Sequence, residues 1–177
     1  MEVELNRLAN TDTLTGIANR RQFMAEFAIE LERVRRYKKH ASVLMLDLDH
    51  FKQVNDRHGH ATGNAVLRHF SEVTQQHLRK VDLFGRLGGE EFGILLPDTD
   101  LAAAYEFAER LRKHVAASPC ATATESIAYT VSIGVTACDH DQPSADHILA
   151  QADKALYQAK SNGRNRTVIM TASMENT

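Results

Sequence analysis

The sequence has no tryptophan, two cysteines and three prolines in 177 residues, and each scarcity excludes something. Cys120 and Cys138 are too few for a disulfide framework and lack zinc-site spacing, so a reducing compartment such as the cytoplasm suits them. Three prolines and nine glycines exclude a collagen-like or Pro/Gly-rich chain. No apolar run approaches the roughly 18 residues of a bilayer span. The start, Met1-Glu2-Val3-Glu4-Leu5, lacks the cationic-then-apolar order of a signal peptide. An excess of charge of one sign is missing too: 21 Lys and Arg against 23 Asp and Glu leave a net of −2. The chain is therefore not built to coat nucleic acid or anionic membrane, and any phosphate chemistry must be local.

What is present is ordinary for a globular domain. Hydrophobic residues make up 43% and charged residues 25%, which excludes disorder. At about 150 residues per domain, the length implies one domain with short appendages. Residues 1–11 read as a helical leader: Val3, Leu5 and Leu8 are apolar and no capping residue precedes them, as expected of a piece of a longer chain. The domain itself is expected over 12–171 and a disordered tail over 172–177.

Phe23, Phe27, Leu31 and Val34 recur at helical spacing, which predicts an amphipathic helix from about Asn19 to Lys39. The run Val43-Leu44-Met45-Leu46 predicts a buried strand that ends in Asp47-Leu48-Asp49. A second helix is expected from about Thr62, with Val66, Phe70 and Val73 on one face. Val81 to Leu87 and Phe92 to Leu96 then flank Gly88-Gly89 as a hairpin whose tip carries Glu90-Glu91. Leu101 through Val115 give a third helix, and Ile127, Tyr129, Val131, Ile133 and Val135 alternate as a half-buried strand would. Ile148, Ala152 and Leu156 mark a helix ending near Gly163, before a short strand at Val168 to Met170. This order predicts an α+β domain with helices packed on a mainly antiparallel sheet.

Acids at the end of a core strand call for a role. Asp47 and Asp49 should point to opposite sides of the strand, and Glu90 and Glu91 behave alike, so one acid from each pair can line a given site. Such a pair supplies hard oxygen ligands for Mg²⁺, although solvated loop charges explain the same residues equally well. Lys52, Lys160 and Arg164 are candidate phosphate binders; Lys160 and Arg164 stand at i and i+4, expected on one helical face, where a surface pair is the plainer reading. Gly59 and Gly63 bracket a helix start that could receive an anion, but no Walker loop is present. His58 and His60 lack a further ligand at metal spacing and read as turn residues.

Leu87-Gly88-Gly89-Glu90-Glu91-Phe92 resembles the signature hairpin of the GGDEF diguanylate cyclases, in the GGEEF form. Three more blocks resemble that family in order and spacing: Asp12-Thr13-Leu14-Thr15-Gly16 with Asn19-Arg20-Arg21, Asp47-Leu48-Asp49-His50-Phe51-Lys52 with Asn55-Asp56 and Gly59-His60, and Ala152-Asp153-Lys154-Ala155-Leu156-Tyr157 through Lys160 to Gly163-Arg164-Asn165. Four ordered blocks from Asp12 to Arg166 leave little room for chance.

The resemblance implies a fold like the polymerase palm and class III nucleotide cyclases, and condensation of two GTP into cyclic di-GMP. It implies that Asp47, the Leu48 carbonyl and Glu90 hold Mg²⁺, for which Mn²⁺ can substitute. Glu91 would join a second metal or help take the proton from the attacking 3′-hydroxyl. Lys52, Lys160 and Arg164 would hold phosphates with backbone amides around His50 and Phe51, and Asn55 and Asn64 would face guanine. Asp49 is left for a structural hydrogen bond. Because one domain holds one GTP, a homodimer is implied for catalysis. Neither nucleic acid nor membrane contact is implied for this segment, and the location is cytoplasmic, with any anchor in the absent N-terminal region.

Arg79-Lys80-Val81-Asp82 stands where the family carries its RxxD product-inhibition site, with Arg110 matching a further arginine. Without the family, a surface ion pair worth at most about 1 kcal/mol is the plainer reading. Asn64 departs from the Asp usual at its position, which raises relaxed base selection and mixed cyclic dinucleotides as an alternative. A second alternative is a degenerate domain kept as a cyclic di-GMP receptor, against which the intact Asp47, Lys52, Glu90 and Glu91 count.

Overall fold

The computed structural model describes residues 1–139, 141 and 144–170; the expected tail at 172–177 lies outside them. Helix α1 (Glu2–Asn10) buries none of its residues, and Val3, Leu5 and Leu8 are exposed. After β1 (Ala18–Asn19), the Asn19 side chain accepts from the Gln22 amide and starts α2 (Arg20–Tyr37), whose buried stripe is the expected Phe23, Phe27, Leu31 and Val34. Strand β2 (Ala41–Leu48) is buried throughout.

Two helices follow where one was expected. A short α3 (Phe51–His58) precedes α4 (His60–Gln75), and Gly59, at φ 89°, separates them. Only Phe51 of α3 is buried, so its sequence carries no apolar stripe to read. The hairpin β3 (Leu83–Arg86) and β4 (Glu91–Pro97) starts later than expected because Val81 is exposed. Asp100 caps α5 (Leu101–Ala116). The expected strand over 127–135 divides into β6 (Ser126–Ile127), which pairs with β5 (Cys120–Ala121), and β7 (Val131–Ala137). Ser144 caps α6 (Ala145–Ser161), and β8 (Thr167–Ile169) ends the fold one residue earlier than expected.

The main sheet runs β1-β3-β4-β2-β7-β8. Its three central pairings are antiparallel and its two edge pairings are parallel, so the sheet is mixed. Strand β2 divides the core by parity. Val43 and Met45 pack with Phe23, Phe27, Ile148 and Leu156 of α2 and α6, whereas Leu44, Leu46 and Leu48 pack with Val66, Phe70, Ala108 and Leu111 of α4 and α5. Each such fully buried side chain contributes roughly 1.5–3 kcal/mol. Strand β7 is buried on both faces, not one, because Ser132, Gly134 and Thr136 between its apolar residues are small enough to lie under a helix. At Gly134 a Cβ would stand 2.2 Å from the Ala152 carbonyl oxygen, so the backbone of α6 rests directly on the strand. Cys120 and Cys138 are free and buried. Among the described residues, no helix is long and apolar enough to cross a membrane.

Candidate active site

The parity that sends Val43 and Met45 toward α6 sends Asp47 the same way. Its carboxylate is nearly buried at the end of β2, where Lys160 in the last turn of α6 donates to Oδ2 over 2.8 Å. The hairpin turn is pinned to the same strand end: the Leu48 amide donates to the Glu90 carbonyl over 3.3 Å, and Glu91 stands opposite Asp47 in the ladder. Burial pushes the Asp47 carboxyl up to about 6; the Lys160 ammonium pulls it down, and Glu90 and Glu91 push it up.

Two adjoining cavities open beside this strand end. One, of about 300 Å³, is bordered by Asp47, Leu48, Lys52, Glu90, Lys160 and Arg164, with His50 in its wall. The other, of about 450 Å³, holds Asn55, His60, Asn64 and Arg86, and it shares Phe51, Lys52 and Glu90 with the first. The candidate metal, phosphate and base residues thus form one continuous cleft. A larger cavity, of about 660 Å³, lies elsewhere, between α3 and the β5–β6 hairpin, where His58 meets Glu125 at 3.0 Å.

Within the cleft, Gly63 lets the Asn55 side chain lie across the first turn of α4, since a Cβ there would stand 1.8 Å from Asn55 Oδ1. One cleft residue, His60, reads from sequence as a turn residue, and another, Arg86, escaped the sequence reading. His60 lines the base end, and Arg86 braces the turn by donating to the carbonyls of Gly88 and Gly89. Arg86 is held in turn by Asp12, which also accepts from the Thr15 amide and hydroxyl. Burial acts to raise the Asp12 carboxyl, but Thr15 and Arg86 outweigh it and hold it below its usual range. The Asp12 block was the available signal, though nothing in it named Arg86 as a partner.

Three expectations need correction or refinement. Arg164 shares no helical face with Lys160, because α6 ends at Ser161 and Arg164 lies beyond it with φ 65°; both still border one cavity. Asp49 borders that cavity alongside Asp47, since β2 ends at Leu48 and strand alternation no longer governs the next residue. Its oxygens accept from the Thr130 and Ser132 hydroxyls and the Asn165 amide. Glu91 borders neither cavity; its carboxylate lies against Gly88.

At the other candidate site, Asp82 accepts from the Arg79 amide over 2.7 Å and from its guanidinium over 2.8 Å. Arg79 also reaches the Pro97 carbonyl and the Thr99 hydroxyl, while half of its side chain stays exposed. The Asp82 carboxylate is buried under it and faces Arg79. Arg110, on α5, lies over the Phe107 ring.

The donor set fits a divalent cation. Among the described residues, no cluster of three His, Cys, Asp or Glu side chains exists that could hold an ion alone. Asp47, Glu90 and the Leu48 carbonyl offer hard oxygens only, and the Asp47 carboxylate already attracts a side-chain cation. A cation held this way keeps positions for phosphate oxygens and water.

Residues 9–166 match the family described as diguanylate cyclase, GGDEF domain. The response regulator PleD of Caulobacter vibrioides is 42% identical over 163 residues, covering 91% of this chain and 36% of PleD. A diguanylate cyclase of Vibrio cholerae is 37% identical over 172 residues, covering 97% of this chain and 53% of that protein. The chain therefore spans between about a third and about half of these relatives' length. The crystal structure of the coiled coil and GGDEF domain of DgcB from Caulobacter crescentus, in complex with c-di-GMP, superposes with a TM-score of 0.90 at 29% identity, covering 95% of this chain and 89% of that one. The sequence blocks, the mixed sheet with its acid-bearing strand end and the match over 158 residues agree, and the chain belongs to the GGDEF diguanylate cyclase family.

Proposed function

We propose that this chain is a diguanylate cyclase that condenses two GTP into cyclic di-GMP and releases pyrophosphate. The observation that carries the reading is the cleft in which the Asp47 and Glu90 carboxylates face three cations, Lys52, Lys160 and Arg164, around one strand end. Acids alone would suit a cation store, and cations alone an anion trap; the two together suit a metal-bound triphosphate.

Asp47, Glu90 and the Leu48 carbonyl would hold Mg²⁺ or Mn²⁺, and the bound metal would offset charge on the phosphoryl oxygens. Lys52, Lys160 and Arg164 hold the β- and γ-phosphates, so the α-phosphate is presented for in-line attack. The 3′-hydroxyl of the facing nucleotide attacks that α-phosphate, its O–P bond forms, the bond to the β-phosphate oxygen breaks, and pyrophosphate leaves. Glu91, opposite Asp47 in the ladder, is the acid assigned to join a second metal or help take the hydroxyl proton, a role that would require its carboxylate to turn from Gly88 toward the cleft. Asn55 and Asn64 read the base. Since one cleft holds one nucleotide, two chains must face each other, and the exposed Val3, Leu5 and Leu8 of α1 offer an apolar surface that would help bring them together. Product returns to Arg79, whose exposed guanidinium can stack on and hydrogen-bond guanine while Asp82 holds it in place.

The test is incubation of the purified chain with GTP and Mg²⁺ across a range of protein concentrations, with mass spectrometry of the products. Cyclic di-GMP is expected, with specific activity rising with concentration until dimers saturate. Unconsumed GTP, or GDP alone, overturns the reading.

A further inference from the structure

Arg164 reaches the phosphate cavity from an improbable backbone. Gly163, Arg164 and Asn165 follow one another at φ 117°, 65° and 45°; glycine and asparagine suit the left-handed region, but arginine seldom adopts it. Such a run persists only where surrounding groups over-determine it. Arg164 is exposed, and among the described residues its guanidinium makes no hydrogen bond or ion pair, so the hold comes from its neighbours.

The hold comes from two sides. From beneath, the nearly buried Asp49 accepts the Asn165 amide on Oδ2 over 3.0 Å, while the Thr130 and Ser132 hydroxyls, each at 2.6 Å, fix the carboxylate. From above, Arg112 on α5 donates to Asn165 Oδ1 over 2.9 Å. Arg112 is itself paired with Glu109, which accepts from the Thr167 hydroxyl one residue pair further along. At the loop's near end, the Arg164 amide donates to the Ala159 carbonyl over 2.9 Å and ties it to α6. Asn165 is thereby gripped through its backbone by Asp49, just beyond the strand that bears Asp47, and through its side chain by a helix on the other face of the sheet from α6.

We propose that Asp49 and Arg112 are positioning residues for the reaction: together they lock Asn165 so that Arg164 is presented, pre-set, to the nucleotide's phosphates. This rests on Arg164 being a phosphate binder. Asp49 acts through Asn165: three of its roughly four acceptor sites are already engaged, by the Thr130 and Ser132 hydroxyls and the Asn165 amide. The carboxylate two residues after the metal-binding Asp47 thus acts on the opposite end of the same triphosphate. The advantage is entropic: a free arginine must give up its rotamers and its loop's freedom on binding, whereas a held one does not.

The test measures binding of a GTP analogue with a non-cleavable α–β linkage, and of GMP as a ligand lacking the β- and γ-phosphates, to the parent and to Arg164→Ala, Asp49→Ala, Asn165→Ala and the double variant Asp49→Ala/Arg164→Ala. Loss of one charge-assisted phosphate contact should weaken the triphosphate by roughly ten- to a hundredfold in Arg164→Ala and leave GMP unchanged. Asp49→Ala and Asn165→Ala should show the same selective loss, and Asp49→Ala should add nothing once Arg164 is gone. Asn165→Ala keeps the buried Asp49 and its hydroxyl partners, so it decides the matter if Asp49→Ala does not fold. Hydrogen exchange at residue 165 should quicken in Asp49→Ala while the β7 amides stay protected. Parent-like triphosphate binding in Asn165→Ala, or a further additive loss in the double variant, overturns the positioning role alone. Parent-like binding in Arg164→Ala overturns the phosphate reading and the positioning role with it.

Discussion

The Lys160 ammonium stands 2.8 Å from Asp47 although 113 positions separate the two residues in sequence. Their meeting depends on two alignments, the parity of β2 and the seating of α6 on β7. Gly134 controls the second. A methyl group there would press on the backbone of Ala152, Ala155 and Leu156, which cannot step aside as a side-chain tip can. Gly134→Ala should therefore destabilise the fold by about 1–3 kcal/mol or more, as overpacking does, and should weaken GTP binding by moving Lys160. Chemical denaturation and nucleotide titration check both effects; a variant as stable as the parent contradicts the seating described.

The acid limb of stability should contain an Asp12 contribution. Thr15 and Arg86 hold the folded-state pKa below the unfolded value, so the contribution is complete above roughly pH 4 and is lost as pH falls through the depressed value. Asp12→Asn should be less stable than the parent at neutral pH, by about 1–2 kcal/mol for a weakened charge-assisted contact. The gap should close toward pH 3. Denaturation midpoints measured across that range would show it, and a gap that widens with acid would contradict it.

Much of this site could be read from sequence, and the parts that could not share a cause. Asp47, Glu90, Lys52 and Lys160 were legible because their blocks are contiguous and strand ends are where ligands gather. The Asp12–Arg86 and Asp49–Asn165 contacts were not, since each joins one block to another through a side chain whose partner no periodicity announces. Helix α3 was missed because it is short and polar, with Phe51 alone buried. Strand β7 looked half-buried because Ser132, Gly134 and Thr136 alternate with apolar residues, and smallness at a helix–sheet contact resembles polarity at a solvent face. Arg164 was placed on a helix by spacing that the left-handed turn after Ser161 breaks.

Product inhibition should pass through Arg79. Its guanidinium is already oriented by Asp82, Pro97 and Thr99, so little ordering is needed to meet a guanine edge. With each variant's curve scaled to its own uninhibited rate, Arg79→Ala should need at least tenfold more cyclic di-GMP for half-inhibition, the loss expected for about 1.4 kcal/mol or more of base contact. Superimposable curves would reduce the pair to a surface contact.

Base selection should be softer than a carboxylate would make it. An aspartate at position 64 could accept from both guanine N1–H and N2–H, whereas Asn64 presents one acceptor and one donor beside Asn55 and His60. Asn64→Asp should raise discrimination against ATP by roughly 5- to 150-fold, at about 1–3 kcal/mol for a good bidentate contact. Turnover with GTP, ATP and an equal mixture measures this. Identical product profiles and GTP affinities for the two proteins would remove Asn64 from base selection.

The central claim is that the acids at the end of β2 and at the hairpin tip run nucleotidyl transfer. The most direct measurement is the rate of cyclic di-GMP formation from GTP and Mg²⁺ by the parent, Asp47→Ala and Glu90→Ala, at a protein concentration that saturates the parent's activity. Each substitution removes a carboxylate that fixes the metal and should cost several kcal/mol of transition-state stabilisation, a rate loss of at least about a thousandfold, with the fold retained by circular dichroism. A parent that makes cyclic di-GMP no faster than the two variants would contradict the account.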